Sequence, residues 1–419
     1  MFRAAPSVSE DAFSKTTETM TGARPAGSAR EVLLAFAKLG VSAFGGPIAH
    51  LGYFRDEFVT RRQWLSEARF ADLVALCQFL PGPASSQVGF ALGLMRAGPL
   101  GALAAFTAFT LPSAALLLLF AANAAHFSSG AGLAIVHGLK LVAVAVVAQA
   151  VLGMAKSLTP DAPRATIALA AVGAIAALPG SLGQIAAIGL GTLAGLLFLR
   201  RDIQPEPERA DPVPVSRRAG LAALATLAVL ILALPLLVAA TASSGFDLFA
   251  GIFRSGALVF GGGHVVLPLL QAETVDPGYV TSAAFLAGYG AAQAVPGPLF
   301  TFAAYLGAIA DAGPGGVPGA FLATAAIFLP GLLILVAALP FWEALRRRPR
   351  LQAALRGINA AVVGILAAAL YDPVFVTAVA DRVDFALALS GFVLLVAWKT
   401  PPIVVVCLGA LAGIVLQAI

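Results

Sequence analysis

The sequence predicts an all-α integral membrane protein made of two inverted-topology repeats whose helices are broken by Gly and Pro. Three observations carry this reading. The chain is apolar and poor in charge, a set of short motifs returns after a nearly constant shift, and the arginines collect in a few short gaps. Of the 419 residues, 59% are hydrophobic and only 11% charged, against about 25% charged in soluble domains. So little charge cannot keep the surface in water, so most of it must face a lipid bilayer.

Apolar stretches recur at roughly 31–52, 68–95, 100–122, 131–155, 165–179, 182–199, 219–243, 245–271, 281–310, 314–342, 356–379, 384–398 and 401–418. About 20 apolar residues span a hydrocarbon core, and most of these stretches suffice. Residues 1–30 are polar with no apolar run after a charged start, which reads as a disordered cytoplasmic tail rather than a cleaved signal. The segment 200–218 is charged and Pro-rich and reads as a cytoplasmic linker. The net charge of +5 sits mostly in such gaps, as in cytoplasmic loops, and calls for no nucleic acid. Cys77 and Cys407 lie in apolar runs and form neither a metal spacing nor a disulfide framework.

Four motifs repeat. Phe44-Gly45-Gly46-Pro47 returns as Phe260-Gly261-Gly262-Gly263, and Gln78 with Pro81-Gly82-Pro83 returns as Gln293 with Pro296-Gly297-Pro298. Leu111-Pro112 returns as Leu329-Pro330, and Gly138-Leu139-Lys140 as Gly357-Ile358-Asn359. The shifts are 216, 215, 218 and 219 residues, which indicates duplication. The first repeat is 31–199 and the second 245–418, joined by a transmembrane helix at 219–243 that has no counterpart.

If every stretch crosses, there are thirteen spans. That puts the Arg-rich gap 53–69 outside and 272–280, which holds Glu273 and Asp276, inside. If the first two segments of each half are re-entrant, nine spans remain. All the Arg-rich gaps then fall inside, which fits the positive-inside rule better. With either count an odd number of crossings separates the halves, so they are inverted, as in many secondary transporters.

Glycines in Phe-Gly-Gly let the backbone leave a helix, and Pro47 suits the first turn of a new one. The resulting half-helix N-terminus attracts anions through free N–H groups and its dipole. Small residues there would equally serve close helix packing. Pro-Gly-Pro breaks its segment more firmly. Paired breaks in the two halves point to a substrate site near the membrane midplane. Gln78 and Gln293 precede those breaks and could donate to an oxyanion. Lys38 and Arg254 occupy equivalent positions in apolar segments, where a cation is costly and so a functional candidate. Together they would suit a dianion. Histidine as a residue type titrates near neutral pH, and Asp72 is the main acidic residue inside an apolar stretch, so His50 and Asp72 are the candidates for proton coupling.

FGGPIAH followed by PGP, then FGGGHVVLP followed by a second PGP, resembles the chromate ion transporter family in its long, two-domain form, over about 31–418. The resemblance implies a bacterial inner-membrane protein that expels chromate using the proton motive force and confers chromate resistance. Sulfate would be a competing analogue. The partners would be a chromate- or sulfate-like oxyanion and the bilayer, with no cofactor; the oligomeric state, monomer or homodimer, is left open. Transport of sulfate or another tetrahedral oxyanion, inward or outward, is the alternative. A membrane-embedded enzyme would need clustered carboxylates or metal ligands, and four histidines without an acidic cluster speak against one.

Overall fold

The computed structural model describes residues 27–44, 46–123, 131–178, 180–199, 215–260, 263–346 and 348–418. The tail 1–30 and the linker 200–218 lie mostly outside these residues, and Gly45, Gly261 and Gly262 lie wholly outside them. Every regular element among the described residues is helical. The protein is an all-α integral membrane protein. Five helices are long and apolar enough to cross a bilayer by length and composition.

In the first half, α1 (Ala29–Ser42) opens on Ser28, whose hydroxyl accepts the Glu31 N–H at 3.1 Å and satisfies a donor the helix leaves free. It stops at Ala43, where the backbone turns extended before Phe44. Next come α2 (Gly46–Phe54), which runs into a π-helical turn at Arg55–Arg61, and α3 (Glu67–Phe79), capped by Ser66. The helix α4 (Ala84–Ala122) starts just after Pro83 and bends sharply at Ala97 and Gly98, which leave the helical region. It is therefore a short arm, 84–96, and a long arm, 99–122. The half closes with α5 (Ala131–Leu158), α6 (Ala162–Ala177) and α7 (Gly180–Phe198).

After α8 (Arg217–Thr241) the same order returns. Here α9 (Ser244–Ala257), α10 (Val266–Thr274) and α11 (Ser282–Ala294) stand where α1, α2 and α3 stood. The two arms of α4 correspond to α12 (Phe302–Ile309) and α13 (Gly316–Ala338). A short α14 (Trp342–Arg346) leads into α15 (Pro349–Ala369), α16 (Arg382–Val396) and α17 (Pro402–Ala418).

Polar contacts show where the broken segments begin and end. Arg96, at the end of the short arm of α4, pairs with Glu31 at the start of α1 (3.1 Å). The Trp64 indole N–H, between α2 and α3, donates to the same carboxylate at 3.1 Å. The Gly27 N–H donates to the Arg96 carbonyl at 3.1 Å. Thus the start of α1, the α2–α3 connection and the bend of α4 share one end of the bundle. Each broken segment therefore begins and ends at the same end of the bundle. The second half repeats this with different chemistry. The Tyr279 hydroxyl, between α10 and α11, donates to Asp247 near the start of α9 (2.8 Å), and the Asp311 N–H, after α12, donates to the Tyr279 carbonyl (3.0 Å).

The halves interlock through their last helices. In the first, α7 packs on α15 of the second, where Gly191 and Gly195 lie against Gly357 and Ala353. In the second, α17 packs on α5 of the first, where Gly409 and Gly413 lie against Gly138 and Ala134. Each residue of one seam stands 218 or 219 positions from its counterpart in the other. Lipid tails are as apolar as Leu, so close van der Waals packing of backbones, rather than hydrophobic burial, holds such seams. Around the first hairpin an aromatic cluster does the same work: Phe36 stacks on Phe58 (4.8 Å) and Phe54 meets Phe109 edge-on (5.1 Å). Each such pair contributes about 0.5–1.5 kcal/mol.

Candidate functional site at the crossed helix breaks

The four breaks meet at the centre of the molecule, and each half completes the other. The Gly82 N–H in the first Pro-Gly-Pro donates to the carbonyl of Val259, the residue before Phe260, at 2.7 Å. The Gly297 N–H in the second donates to the carbonyl of Ala43, the residue before Phe44, at 2.9 Å. Gly263 packs against Pro47, so the two Phe-Gly-Gly regions also touch. A break strips helix carbonyls of their usual donors, and here the opposite half supplies them.

Several polar groups line this crossing. His50 is fully buried, with Nε2 3.2 Å from the Ala43 carbonyl and Nδ1 3.4 Å from the Ser85 hydroxyl. Gln87, in the first turn of α4, donates from Nε2 to the carbonyls of Pro81 (3.0 Å) and Gly331 (2.8 Å). In the second half, His264 Nδ1 lies 2.7 Å from the Tyr289 hydroxyl. A cavity of about 50 Å³ is lined by Gly46, Gln149, His264, Gln293 and Gly297 among others. The Ser86 hydroxyl, Gln87 Oε1 and Gln293 Nε2 are buried without a hydrogen-bond partner, although Gln293 stands beside the Tyr289 hydroxyl. Buried polar groups are nearly always satisfied, so orphans gathered at the crossing mark it as a place for a polar ligand. Since a water takes up about 30 Å³ in the liquid, the cavity has room for a water or two. An oxyanion could enter only if the breaks parted.

The candidates chosen from sequence divide into two groups. Gly46, Pro47, Pro81, Gly82, Pro83, Gly263, Gln293, Pro296, Gly297, Pro298 and His50 lie at or next to the crossing. Lys38 and Arg254 are already paired. Lys38 lies 3.8 Å from Glu57, and Arg254 grips Glu273 with two hydrogen bonds of 2.9 and 2.6 Å. Glu57 and Glu273 are themselves 216 residues apart, so the ion pairs are counterparts. That shift was readable in the sequence, but both carboxylates lie in or beside the gaps rather than within apolar runs. Gln78 is exposed. Asp72 accepts from the Trp342 indole at 3.3 Å.

Glu57 is a hub at one end of the bundle, and Arg61 and Arg62 also bond it, at 3.0 and 2.7 Å. Burial pushes its carboxyl up, but the Arg62 hydrogen bond and the charges of Arg62, Lys38 and Arg61 outweigh this and hold it below the ordinary 4.5. A depressed carboxylate contributes stability above its unfolded value, and the contribution is lost as pH falls through the lower folded value. Glu57→Gln should therefore lower stability at neutral pH and flatten the loss below pH 4.5. Breaking a buried pair costs about 3–5 kcal/mol. Lys38 and Arg61 are more than half exposed, so solvent screening reduces this to about 1–2 kcal/mol. Thermal unfolding in detergent across pH 4–8 checks it; identical profiles for variant and wild type would refute the hub.

Interrupted helices, a reciprocal crossing and a small polar cavity inside an apolar bundle define a multi-pass membrane protein with a central buried polar site. The chain belongs to the chromate transporter family, which matches it twice, over residues 30–199 and 246–414. It is 31% identical over 416 residues to the chromate transport protein of Pseudomonas aeruginosa, covering 96% of this chain and 95% of that one. It is 28% identical over 411 residues to the probable chromate transport protein of Synechococcus elongatus, covering 96% and 99%. A further chromate transport protein, from Cupriavidus metallidurans, is 28% identical over 380 residues, covering 88% and 87%. No solved structure matches the chain.

Proposed function

We propose that the protein exports chromate across the inner membrane, driven by the proton motive force, and so confers chromate resistance. The observation that carries this is the reciprocal crossing of the breaks, with its unsatisfied polar groups, in a chain of this family. The substrate sits at the crossing. The N-termini that follow the breaks supply N–H groups and dipole to a tetrahedral dianion, and Ser86 and Gln293 add side-chain donors. Lys38 and Arg254, each opposite a carboxylate, set the field at either end and release those carboxylates as the halves rock. The returning hairpins support nine crossings, namely the long arm of α4, α5–α8, α13 and α15–α17. The N-terminus and the Arg-rich connections then lie in the cytoplasm, and an odd number of crossings inverts the second half on the first. Alternating access follows from rocking one repeat against the other.

The test is accumulation of labelled chromate by everted membrane vesicles. Respiration should drive uptake and an uncoupler should collapse it. Vesicles that contain folded protein and take up no chromate would overturn the proposal. Sulfate has the same shape and charge, so growth on low sulfate in a strain lacking its sulfate permeases separates the alternative reading.

A further inference from the structure

A second polar site, buried on its Asp384 side and partly open at His137, lies away from the crossing, between the halves. His137, on α5 of the first half, holds Nε2 2.6 Å from Asp384 Oδ1, on α16 of the second. Asp384 is 3% exposed, and its other oxygen accepts the Ala380 N–H at 2.9 Å. Lys140, one turn along α5 from His137, lies within Coulombic reach of the same carboxylate. The neighbour of His137 is Gly138, which touches Gly409 at the tight α5–α17 seam. A proton gained or lost here changes the charge beside one of the two tight seams between the halves.

The other ionisable groups nearby are few. On α16 itself, Asp381 caps the helix by accepting the Val383 and Asp384 N–H groups, and Arg382 follows it. Among the described residues α17 offers only Cys407, which is exposed. The π-helical turn that packs on α5 carries Tyr371 and Asp372, α11 carries Tyr289, and α15 carries Arg350 and Arg356. Asp384 Oδ1 is an acceptor, so His137 presents an N–H at Nε2, and Nδ1 is left as the atom that takes up a proton. The result is an imidazolium facing a carboxylate across the seam.

The repeat sharpens the case. Shifted by 218 or 219 residues, Asp384 corresponds to Thr166 on α6 and His137 to Arg356 on α15. Those helices also pack together. Thr166 turns its hydroxyl back to the Ala162 carbonyl at 2.8 Å, and an arginine keeps its proton at all physiological pH values. One of two equivalent seams therefore holds a group that can exchange a proton, and the other holds a fixed charge. Mere helix capping gives no reason for a histidine facing the carboxylate from the other half.

The geometry points to His137–Asp384 as the proton-carrying site of the exchange, joined to the substrate crossing by movement of α5 against α16. This rests on the proton-driven reading above and names its proton acceptor, in place of His50 or Asp72. Protonation charges His137 and tightens the two halves at this seam; release loosens them.

The test reconstitutes the full chain into proteoliposomes with labelled chromate. Asp384→Asn and His137→Gln should lose accumulation driven by a pH gradient while chromate counterflow, which needs no net proton movement, survives. Wild-type accumulation in either variant overturns the assignment. So does loss of counterflow in protein that elutes as a single species, since that makes the pair structural. If the wild type moves no chromate at all, the substrate reading falls, and hydrogen exchange decides the pair on its own. Amide protection over 380–388 should change with pH in the wild type and stay flat in Asp384→Asn. A flat wild-type profile overturns the proton site.

Discussion

Gly82→Ala and Gly297→Ala should each abolish chromate accumulation and lower the thermal stability of the protein. Both glycines have positive φ, +122 and +96, where a side chain is strained by about 1–3 kcal/mol. Neither has room for one. A Cβ on Gly82 would come within 2.9 Å of the Gly331 Cα and 2.8 Å of Gln87 Nε2. On Gly297 it would meet the Ser113 hydroxyl at 3.0 Å and the Phe109 carbonyl at 3.1 Å. Overpacking adds about 1–3 kcal/mol. Relief requires the loop to move, and that lengthens the Gly82–Val259 or Gly297–Ala43 hydrogen bond and opens the crossing. Gly278→Ala provides the comparison. Its φ is +85, yet nothing lies within 4 Å of the added carbon, so it carries strain alone, in the connection between α10 and α11. Melting in detergent and vesicle uptake, measured on all three, decide the matter. If Gly82→Ala and Gly297→Ala transport as well as Gly278→Ala, the crossing is not the site.

The membrane class, the positions of the breaks and the repeat register were legible because each leaves a mark on residue type. Charge depletion, Gly and Pro within apolar runs, and motifs returning at a fixed shift are one-dimensional signals. What the breaks do for each other was not legible. The bonds from Gly82 to Val259 and from Gly297 to Ala43 use backbone atoms, which every residue has. The meeting of the α1 start, the α2–α3 connection and the α4 bend rests on Glu31, Trp64 and Arg96, which are far apart in the chain and unremarkable singly. Lys38 and Arg254 drew attention as cations in apolar stretches, and their partners Glu57 and Glu273 were passed over because they sit in or beside the gaps. His137 and Asp384 were missed for a related reason. The pair breaks the repeat, so a search for matching motifs discards it.

Gln87 is the residue whose chemistry the crossing tolerates least. Its neighbours on one side are two carbonyls, so only the NH₂ of the amide can face them. The side chain is fully buried. It ties the first Pro-Gly-Pro to Gly331 on α13, and hence one half to the other. Gln87→Met keeps the volume and removes both donors. The Gly331 carbonyl keeps its bond within α13, but the Pro81 carbonyl is left unsatisfied, so a loss of about 1–3 kcal/mol is expected. Gln87→Glu is worse at neutral pH, because it sets a buried carboxylate against two carbonyls. That carboxyl would be forced well above its ordinary range. Its penalty is then present at high pH and relieved as pH falls through the raised folded value. The expected order of stability at neutral pH is wild type, Gln87→Met, Gln87→Glu, and acid should narrow the gap between the two variants. Gln78→Met, at an exposed position, should melt like the wild type. Unfolding curves at two pH values give the full comparison. Should Gln87→Glu prove as stable as the wild type at neutral pH, the amide does not bridge the halves as described.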